Sequence, residues 1–418
     1  MMDYQKAFGS VEANREYIIE TLRKLVGIDT TVPPGRNYDK FVAALEPDFK
    51  RFGFTTERVI IPEDKVREIP YPLEGPRVNL VASRDVGKEP VSIYAHMDVV
   101  PIEEGWKCDP FAGIVEGDTF YGRGAMDMKG SIACLMGALK VIHDLSLEPK
   151  FDIHCLLCTD EEIGVYPGVY HLALNGYVQG HMLNLELGAQ EPILMQACEG
   201  GIDVMIAGVG KSCHSGMNFM GVNALEEMVP IMNELLALKK QVEARESKVP
   251  SFPLPNAPST QLTPMLNLSV IRGGAKPNIT PGECNLTLNR RYIPEEKYED
   301  VVKEIQDAID RGRANSKLID VKVKFIHNYP PVVFDVKSPF MEKMKEARRA
   351  VHDYGDFMVG GLGGSTDMGC VAMALKTDKF VGMSPARASN LSAHAANERV
   401  GVTDLLNMTK ELVHYLAF

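Results

Sequence analysis

Residues 91–101 read VSIYAHMDVVP, and the interpretation of the whole chain starts from this segment. Its first five residues are apolar or small, which is typical of a strand buried on both faces of a parallel sheet. The run stops at His96 and Asp98, two residues with metal-binding side chains. In open α/β sheets, ligands bind beyond the carboxyl ends of the strands. The segment therefore predicts a central strand that ends in a binding site.

Strand-like and helix-like segments alternate around this run. A second apolar run covers Phe151–Thr159, and helical spacing predicts a helix over Gly130–Leu145. This alternation predicts an α/β fold with a doubly wound, mostly parallel sheet. After Gly200 the order becomes strand, helix, two strands, helix, strand, which predicts an inserted ferredoxin-like α+β domain. We expect a catalytic domain in two parts, 1–199 and 331–418, with the inserted domain at 200–330.

Composition excludes several classes of protein. The 418 residues carry 45 Lys and Arg against 56 Asp and Glu, a net charge of −11. Because an acidic protein repels phosphate and anionic lipid, we expect neither a nucleic-acid partner nor a membrane partner. The eight cysteines are scattered, which indicates reduced thiols in a cytoplasmic protein. The N-terminal residues show no apolar core after a basic start, so no signal peptide is predicted.

More acidic and histidine residues lie just past predicted strands or in the turns between elements. They are Asp127, Glu161, Glu162, Glu186 and His394. Imidazole and carboxylate groups converging at one sheet edge suit zinc or a similar divalent metal. A bridging carboxylate can hold two ions about 3.5–4 Å apart. Of two adjacent glutamates, one can ligate while the other takes a proton from water.

Three other motifs do not support the functions that their residue spacing suggests. Cys155 and Cys158 have the spacing of a redox or zinc pair, but on a strand their side chains face opposite sides. The GVGKS segment lacks the first glycine of a phosphate loop, since Met205 stands there. In YGRGAMD, Asp127 occupies the third glycine position of a dinucleotide fingerprint. Neither ATP nor NAD binding is predicted.

The inserted domain contains its own candidates. His214, in KSCHSG, is either a surface loop residue or a functional one. Asn278 and Arg291 are candidates for holding a substrate carboxylate, because Arg presents a planar fork of donors, although a strand-end Arg is more often a solvated charge. The Gly-dense loop Gly360–Gly369 suits close approach of backbone to a ligand, or simply a flexible connection. Its candidate substrate contacts are Gly364, Ser365 and Thr366.

Taken together, the motifs resemble the dinuclear-zinc aminoacylase/carboxypeptidase family, which includes acetylornithine deacetylase, succinyl-diaminopimelate desuccinylase, glutamate carboxypeptidase and related dipeptidases. They cover nearly the whole chain in the family's order: HMDVVP, GRGAMDMKG, TDEEIG, the HSG to GVNA loop, NRRYIP, GGST and HAANE. Two segments depart from the family pattern. Asn289 stands where many members have Asp, and the residues before the last histidine read MSPARASNLSAH.

The resemblance implies two divalent metal ions, zinc before manganese or cobalt. The implied ligands are His96 and Glu186 for one ion, His394 and Glu162 for the other, and Asp127 as the bridge.

Further implied roles concern the reaction itself. Asp98 orients the histidine of the first metal site, and Glu161 acts as general base and then general acid. His214 stabilises the oxyanion, in many members from the partner subunit. A homodimer built through the inserted lid and dimerisation domain is therefore expected. The family also has a cis peptide bond after the bridging aspartate, here Asp127–Met128.

The expected activity is cleavage of the amide bond of an N-acyl amino acid, as a deacetylase or desuccinylase, by metal-activated water. The substrate is a small molecule that bears a carboxylate. A metallocarboxypeptidase or dipeptidase is the first alternative. An aminohydrolase acting on a carbamoyl, amidine or activated aryl amine C–N bond is the second. A non-catalytic binding protein is the third, and it predicts the loss of a ligand or base, none of which is missing.

Overall fold

The computed structural model describes residues 4–253, 257 and 259–418. Its α-helices are α1 (Tyr4–Ala13), α2 (Arg15–Val26), α3 (Tyr38–Arg51), α4 (Glu63–Glu68), α5 (Lys129–Asp144), α6 (Gly168–Leu174), α7 (Ala224–Val242), α8 (Tyr298–Arg313), α9 (Pro339–Val351), α10 (Met368–Leu375) and α11 (Val402–Ala417). Its strands are β1 (Thr55–Ile60), β2 (Val78–Arg84), β3 (Pro90–His96), β4 (Ile114–Glu116), β5 (Thr119–Tyr121), β6 (Asp152–Cys158), β7 (His181–Asn184), β8 (Ile193–Cys198), β9 (Gly200–Val209), β10 (Met265–Gly273), β11 (Glu283–Tyr292), β12 (Asp320–Tyr329), β13 (Val332–Val333), β14 (Met358–Leu362), β15 (Phe380–Gly382) and β16 (Arg399–Gly401).

The chain divides into two compact units. The first contains the residues up to Gln196 together with Phe334–Val359 and Val371–Phe418. The second contains Ala197–Val333 and Gly360–Cys370. The structure thus groups the Gly-rich loop at 360–370 with the second unit, whereas the sequence placed it in the second part of the catalytic domain.

A six-stranded sheet forms the centre of the first unit, in the order β1-β2-β6-β3-β7-β15. β6, β3, β7 and β15 are parallel, and β2 runs antiparallel to β6. The apolar run of β3 is buried from Val91 to His96, as expected for a central strand covered on both faces. This arrangement confirms the predicted α/β fold with a mostly parallel sheet.

Helix α5 is buried along most of its length and packs against α2 and α11. The apolar stretch Ile132–Ile142 therefore lies in a core helix. No helix among the described residues is both long and apolar enough to cross a membrane. All eight cysteines, which the described residues include, are free thiols. Cys155 and Cys158 both lie in β6, as the sequence predicted.

The second unit contains an antiparallel four-stranded sheet in the order β10-β11-β9-β12, with α7 and α8 packed together. This is the strand order of a ferredoxin-like domain and agrees with the predicted insertion. Apolar residues from the sheet and from both helices form one buried cluster. Asn223 is the N-cap residue of α7, and its side chain accepts hydrogen bonds from the backbone N–H groups of Leu225 and Glu226.

The sequence did not predict a small antiparallel sheet in the first unit, β16-β5-β4. Each of its strands has three residues, which is too short for an alternating pattern to stand out. This sheet pairs Arg399 with Tyr121. It therefore brings the segment that follows His394 beside the segment that precedes Asp127.

Candidate metal centre

The parallel strands carry the predicted ligands to one edge of the central sheet. In the pairing of β3 with β6, His96 lies opposite Cys158, and the chain reaches Glu161 and Glu162 just beyond that strand. Glu186 follows β7, which flanks β3 on the other side. The side chains meet because the carboxyl ends of parallel strands share one edge of a sheet.

Asp127 lies between two histidines that are far apart in the sequence. Its Oδ1 is 3.1 Å from His96 Nε2, and its Oδ2 is 3.4 Å from His394 Nε2. His394 Nε2 is also 3.1 Å from Glu162 Oε1. The Asp127–Met128 peptide bond is cis, as the resemblance implies.

Three groups of potential metal ligands overlap at this point, each with ligand atoms within 4.8 Å of one another. The groups are His96 with Asp127 and Glu186, His394 with Asp127 and Glu162, and His96 with Glu161 and Glu162. The first two correspond to the two ligand sets that the resemblance implies, with Asp127 in both. The third places Glu161 against the same histidine.

Negative charge is concentrated in this cluster. Burial and the charge of Asp127 raise the pKa of Glu162 to about 7. Burial alone lowers the pKa of His96, but its hydrogen bond to Asp127 and the neighbouring carboxylates raise it well above its ordinary value. Hydrogen bonds to Asp127 and Glu162 raise the pKa of His394 to about 10. The carboxylates thus favour bound positive charge at this point of the structure.

The residues present fit a pair of divalent cations. Each of the two ligand groups combines one imidazole with carboxylates, the donor set that zinc, manganese and cobalt accept. A cation would also offset the charge that raises the pKa of Glu162.

Asp98 contacts both halves of the cluster. Its backbone oxygen lies 3.1 Å from His96 Nδ1, so this ring nitrogen faces the backbone while Nε2 faces Asp127. The Asp98 carboxylate accepts a hydrogen bond of 2.9 Å from the backbone N–H of Glu162. Its Oδ1 is 3.8 Å from His96 Nδ1, which is too long for a direct hydrogen bond. Asp98 therefore holds His96 mainly through its backbone and Glu162 through its side chain.

His214 and Asn278 lie on neighbouring loops of the second unit. His214 pairs with Ile279 in an isolated β-bridge, and the Ser215 N–H donates to the Asn278 carbonyl. The Gly216 N–H donates a hydrogen bond of 3.1 Å to His214 Nδ1. In the neutral ring this makes Nε2 the protonated nitrogen, which is the form that can donate to an oxyanion. Both His214 and Asn278 are exposed.

Arg291 lies beside the Gly-rich loop of the second unit, where its Nη1 donates to Ser365 Oγ at 2.5 Å. The Gly364 carbonyl accepts a hydrogen bond of 3.0 Å from the Glu199 N–H. Burial raises the pKa of Glu199 to about 7, and the charge of Arg291 opposes this shift. Thr366 is fully buried and its hydroxyl accepts from the Met368 N–H at the start of α10. Thr366 therefore stabilises the loop from its buried side.

Sequence reasoning gave no role to Glu398 or Arg123, although both lie inside quoted motifs. Each is 1% exposed, and they form an ion pair of 2.9 Å. A second buried pair joins Arg77 to Asp160, the residue before Glu161, at 3.2 Å. Tyr38 donates a hydrogen bond of 3.0 Å to Asp160 as well. The sequence signal that could have identified Glu398, Arg123 and Asp160 is their position close to the proposed ligands, within the motifs HAANE, GRGAMD and TDEE.

Comparison with known proteins supports the same interpretation. The model of peptidase family M20/M25/M40 matches residues 92–417. A probable succinyl-diaminopimelate desuccinylase of Staphylococcus aureus (strain MRSA252) is 27% identical over 310 residues, which cover 70% of this chain and 74% of that protein. An acetylornithine deacetylase of Aliivibrio fischeri (strain MJ11) is 33% identical over 244 residues, 58% of this chain and 61% of that one.

A solved structure shows the same fold. An M20 family metallo-carboxypeptidase from Sulfolobus solfataricus superposes with a TM-score of 0.77 at 18% identity. The superposition covers 95% of this chain and 98% of the other.

Proposed function

The chain is a hydrolase that belongs to peptidase family M20/M25/M40, and we propose that it cleaves the amide bond of an N-acyl amino acid with the help of two divalent metal ions. The observation that carries this proposal is the position of Asp127 in both ligand groups, with Glu161 beside them. One group would hold each ion, and zinc suits the donors best. Bound there, the ions would polarise the scissile carbonyl and make water acidic enough to react near neutral pH.

Glu161 is the proposed proton carrier. It is 7% exposed, and its carboxylate lies within 4.8 Å of ligand atoms of His96 and Glu162. From this position it would take a proton from the attacking water and deliver it to the leaving amine nitrogen. The bond broken is the C–N bond of the amide. The products are a carboxylate and an amine.

Residues of the second unit are proposed to bind the substrate. His214, with Nε2–H as donor, would stabilise the oxyanion of the tetrahedral intermediate. The guanidinium of Arg291, with Ser365 and Gly364 beside it, would hold a substrate carboxylate. Asn278 lies at the other end of β11, beside His214, and would contact the substrate there. Thr366 is proposed to stabilise the conformation of the loop that carries Gly364 and Ser365.

Deacylation is preferred to peptide cleavage because the curated relatives named above are a desuccinylase and a deacetylase. A carboxypeptidase or dipeptidase activity is the second candidate, favoured by the metallo-carboxypeptidase fold match. Hydrolysis of a carbamoyl, amidine or activated aryl amine remains the third.

The decisive experiment measures amine release from a panel of N-acetyl and N-succinyl amino acids and dipeptides. Chelator-treated protein, and the same protein after zinc or manganese is restored, are assayed side by side. We expect turnover on one acyl class that chelation abolishes and metal restores. Activity that survives complete metal removal would contradict the proposal.

Two adjacent variants test the division of roles. Glu161→Ala should keep the bound metal and lose turnover by a factor of about 10²–10⁴ or more, because it removes the proton carrier. Glu162→Ala should lose one equivalent of metal, measured by elemental analysis. Glu116→Gln, at an exposed position of the same unit, serves as the control and should change neither. Normal turnover by Glu161→Ala would overturn the assignment.

We also propose a homodimer through the second unit. Strand β10 is an edge strand with exposed apolar residues, including Val270 and Ile271, and Phe219 is 81% exposed. Such a surface is typical of an interface between subunits. Light scattering on the eluting protein should give twice the chain mass. The free thiols suit a reducing compartment, and we propose the cytoplasm.

A further inference from the structure

Glu398 is the last residue of the HAANE motif that carries His394, and its carboxylate is buried against the backbone of Asp127. The side chain is 1% exposed and lies just before β16, which pairs with β5. A buried carboxylate is stable only when hydrogen bonds or opposite charges satisfy its oxygens. The donors that satisfy this one indicate its function.

The donors come from the loop that carries Asp127. Oε1 accepts hydrogen bonds from the backbone N–H groups of Met126 and Asp127, both at 3.0 Å. Oε2 accepts from the Gly124 N–H and from Arg123 Nη1, both at 2.9 Å. One carboxylate thus fixes the backbone at Asp127 and at the residues before it. The direction of the Asp127 side chain follows from the direction of this backbone.

Arg123 extends the same network to the segment that follows His96 and Asp98. Its Nη2 donates to the Pro101 carbonyl at 3.2 Å and to Glu103 at 2.5 Å. Its guanidinium also lies over the Trp106 ring, 5.3 Å from the centroid. Three ligand-bearing segments that are distant in sequence therefore meet at one buried ion pair.

We propose that Glu398 is a positioning residue for the metal centre, holding Asp127 by its backbone so that both carboxylate oxygens face the two ligand groups. This inference rests on the proposed function, because it assumes that Asp127 bridges two ions. Glu398 contacts neither substrate nor metal in this assignment. It sets the affinity of the site by fixing a ligand before the ions bind.

Glu398→Gln tests the proposal with little change of shape. In glutamine, an NH₂ group replaces one carboxylate oxygen and faces the N–H donors from which that oxygen now accepts hydrogen bonds. Two donors cannot bond to each other, so the hydrogen bonds on one side of the side chain must break. We expect metal affinity to fall about 10–100-fold, the usual cost of removing a group that orients a ligand. The affinity is measured by titrating chelator-treated protein with zinc against a chromophoric competitor. The visible spectrum of the cobalt-substituted protein reports any change in coordination geometry.

A matched control separates positioning from ordinary destabilisation. Glu411 is also 1% exposed in the same unit, and it pairs with His352 at 2.9 Å. Glu411→Gln should lower the melting temperature of the metal-free protein but leave metal affinity and the cobalt spectrum unchanged. Equal metal affinities for wild type and Glu398→Gln would overturn the inference. So would an equal loss of affinity in both variants.

A second variant covers failure to fold. If Glu398→Gln yields no folded protein, Glu398→Asp keeps the charge but shortens the reach, and it should still bind zinc more weakly than wild type with a shifted cobalt spectrum. Wild-type affinity in Glu398→Asp would then reject the inference. If the wild-type chain itself binds no divalent metal, the proposed function fails, and this inference falls with it.

Discussion

His96 and His214 are proposed to serve one reaction, yet the two units hold them in opposite ways. His96 is fully buried at the end of a central strand, and Asp98 and Asp127 contact its two ring nitrogens. His214 is exposed on a loop, and the described contact of its ring is with the N–H of Gly216, two residues away. Buried contacts at both ring nitrogens hold the first residue, whereas the ring of the second is exposed and has a local contact.

The difference agrees with what each group is proposed to bind. Carboxylates brought together without a cation repel each other, and burial together with the charge of Asp127 raises the pKa of Glu162. Groups around the proposed ligands must therefore hold them in place before an ion binds. The first unit therefore surrounds its ligands with buried ion pairs, Arg123 with Glu398 and Arg77 with Asp160. A group that contacts substrate can stay solvated until the substrate displaces water.

The largest effect is expected where a buried ion pair of the first unit is broken. Arg77 is 0% exposed, and besides Asp160 it contacts the carbonyls of Pro34, Gly35 and Glu74. Arg77→Leu leaves the Asp160 carboxylate buried without its cation, which costs about 3–5 kcal/mol of unfolding free energy. Urea unfolding of the metal-free protein, followed by circular dichroism, measures the change.

The second unit offers a matched control for that variant. Arg311 and Glu234 form a pair of 2.9 Å in which the Arg311 side chain is 54% exposed. Arg311→Leu should change the free energy of unfolding by less than about 1 kcal/mol, because exposed pairs contribute little. Equal effects of the two substitutions would remove the contrast between the units.

The next largest effect is expected on catalysis, when the exposed His214 is replaced. His214→Ala should lower kcat about 10²–10³-fold, the usual cost of one oxyanion donor, while bound metal and unfolding free energy stay unchanged. Steady-state kinetics on the substrate found in the panel assay, with elemental analysis, measures both quantities. Lys211→Ala, an exposed change in the same loop, is the control. A loss of metal in His214→Ala would show that the two units are not separable in this way.

The smallest effect tests a feature that the units share. His181 in the first unit stacks on Phe340 with centroids 3.7 Å apart and lies 2.6 Å from the Tyr415 hydroxyl. His327 in the second stacks on Tyr298 and lies 2.7 Å from the Tyr292 hydroxyl. Burial lowers the pKa of His181 to about 3 and that of His327 to about 4.

Because both folded pKa values are lowered, the unfolded chain binds more protons at acidic pH. The stability that each neutral ring contributes is fully present above about pH 6.5, and it is lost as the pH falls toward the folded value. Between pH 7 and 5 each contribution should fall by about 2 kcal/mol, because both folded pKa values lie below this range. Unfolding of His181→Gln at both pH values should show a flatter dependence than wild type. If the unfolding free energy of His181→Gln depends on pH as steeply as that of wild type, the inference that the buried neutral His181 ring causes this dependence is wrong.

The sequence predicted the central sheet and the inserted domain because each depends on a local pattern. The apolar run ending at His96 predicts a buried strand, and the change in element order after Gly200 predicts a second unit. The three-residue strands of β16-β5-β4 carry no such pattern. For the same reason no local pattern places Glu398 beside Asp127, since the two are separated by 271 positions.

What the sequence alone determined is the chemistry of the site. Histidines and carboxylates near the ends of apolar runs predict the metal ligands that we propose, because parallel strands end at a common edge. The tertiary structure decided which groups hold those ligands in place. Glu398 with Arg123, and Arg77 with Asp160, are charged residues that sequence reasoning would leave on the surface. Only long-range packing supplies the partners that make their burial favourable, and no pattern of neighbouring residues specifies those partners.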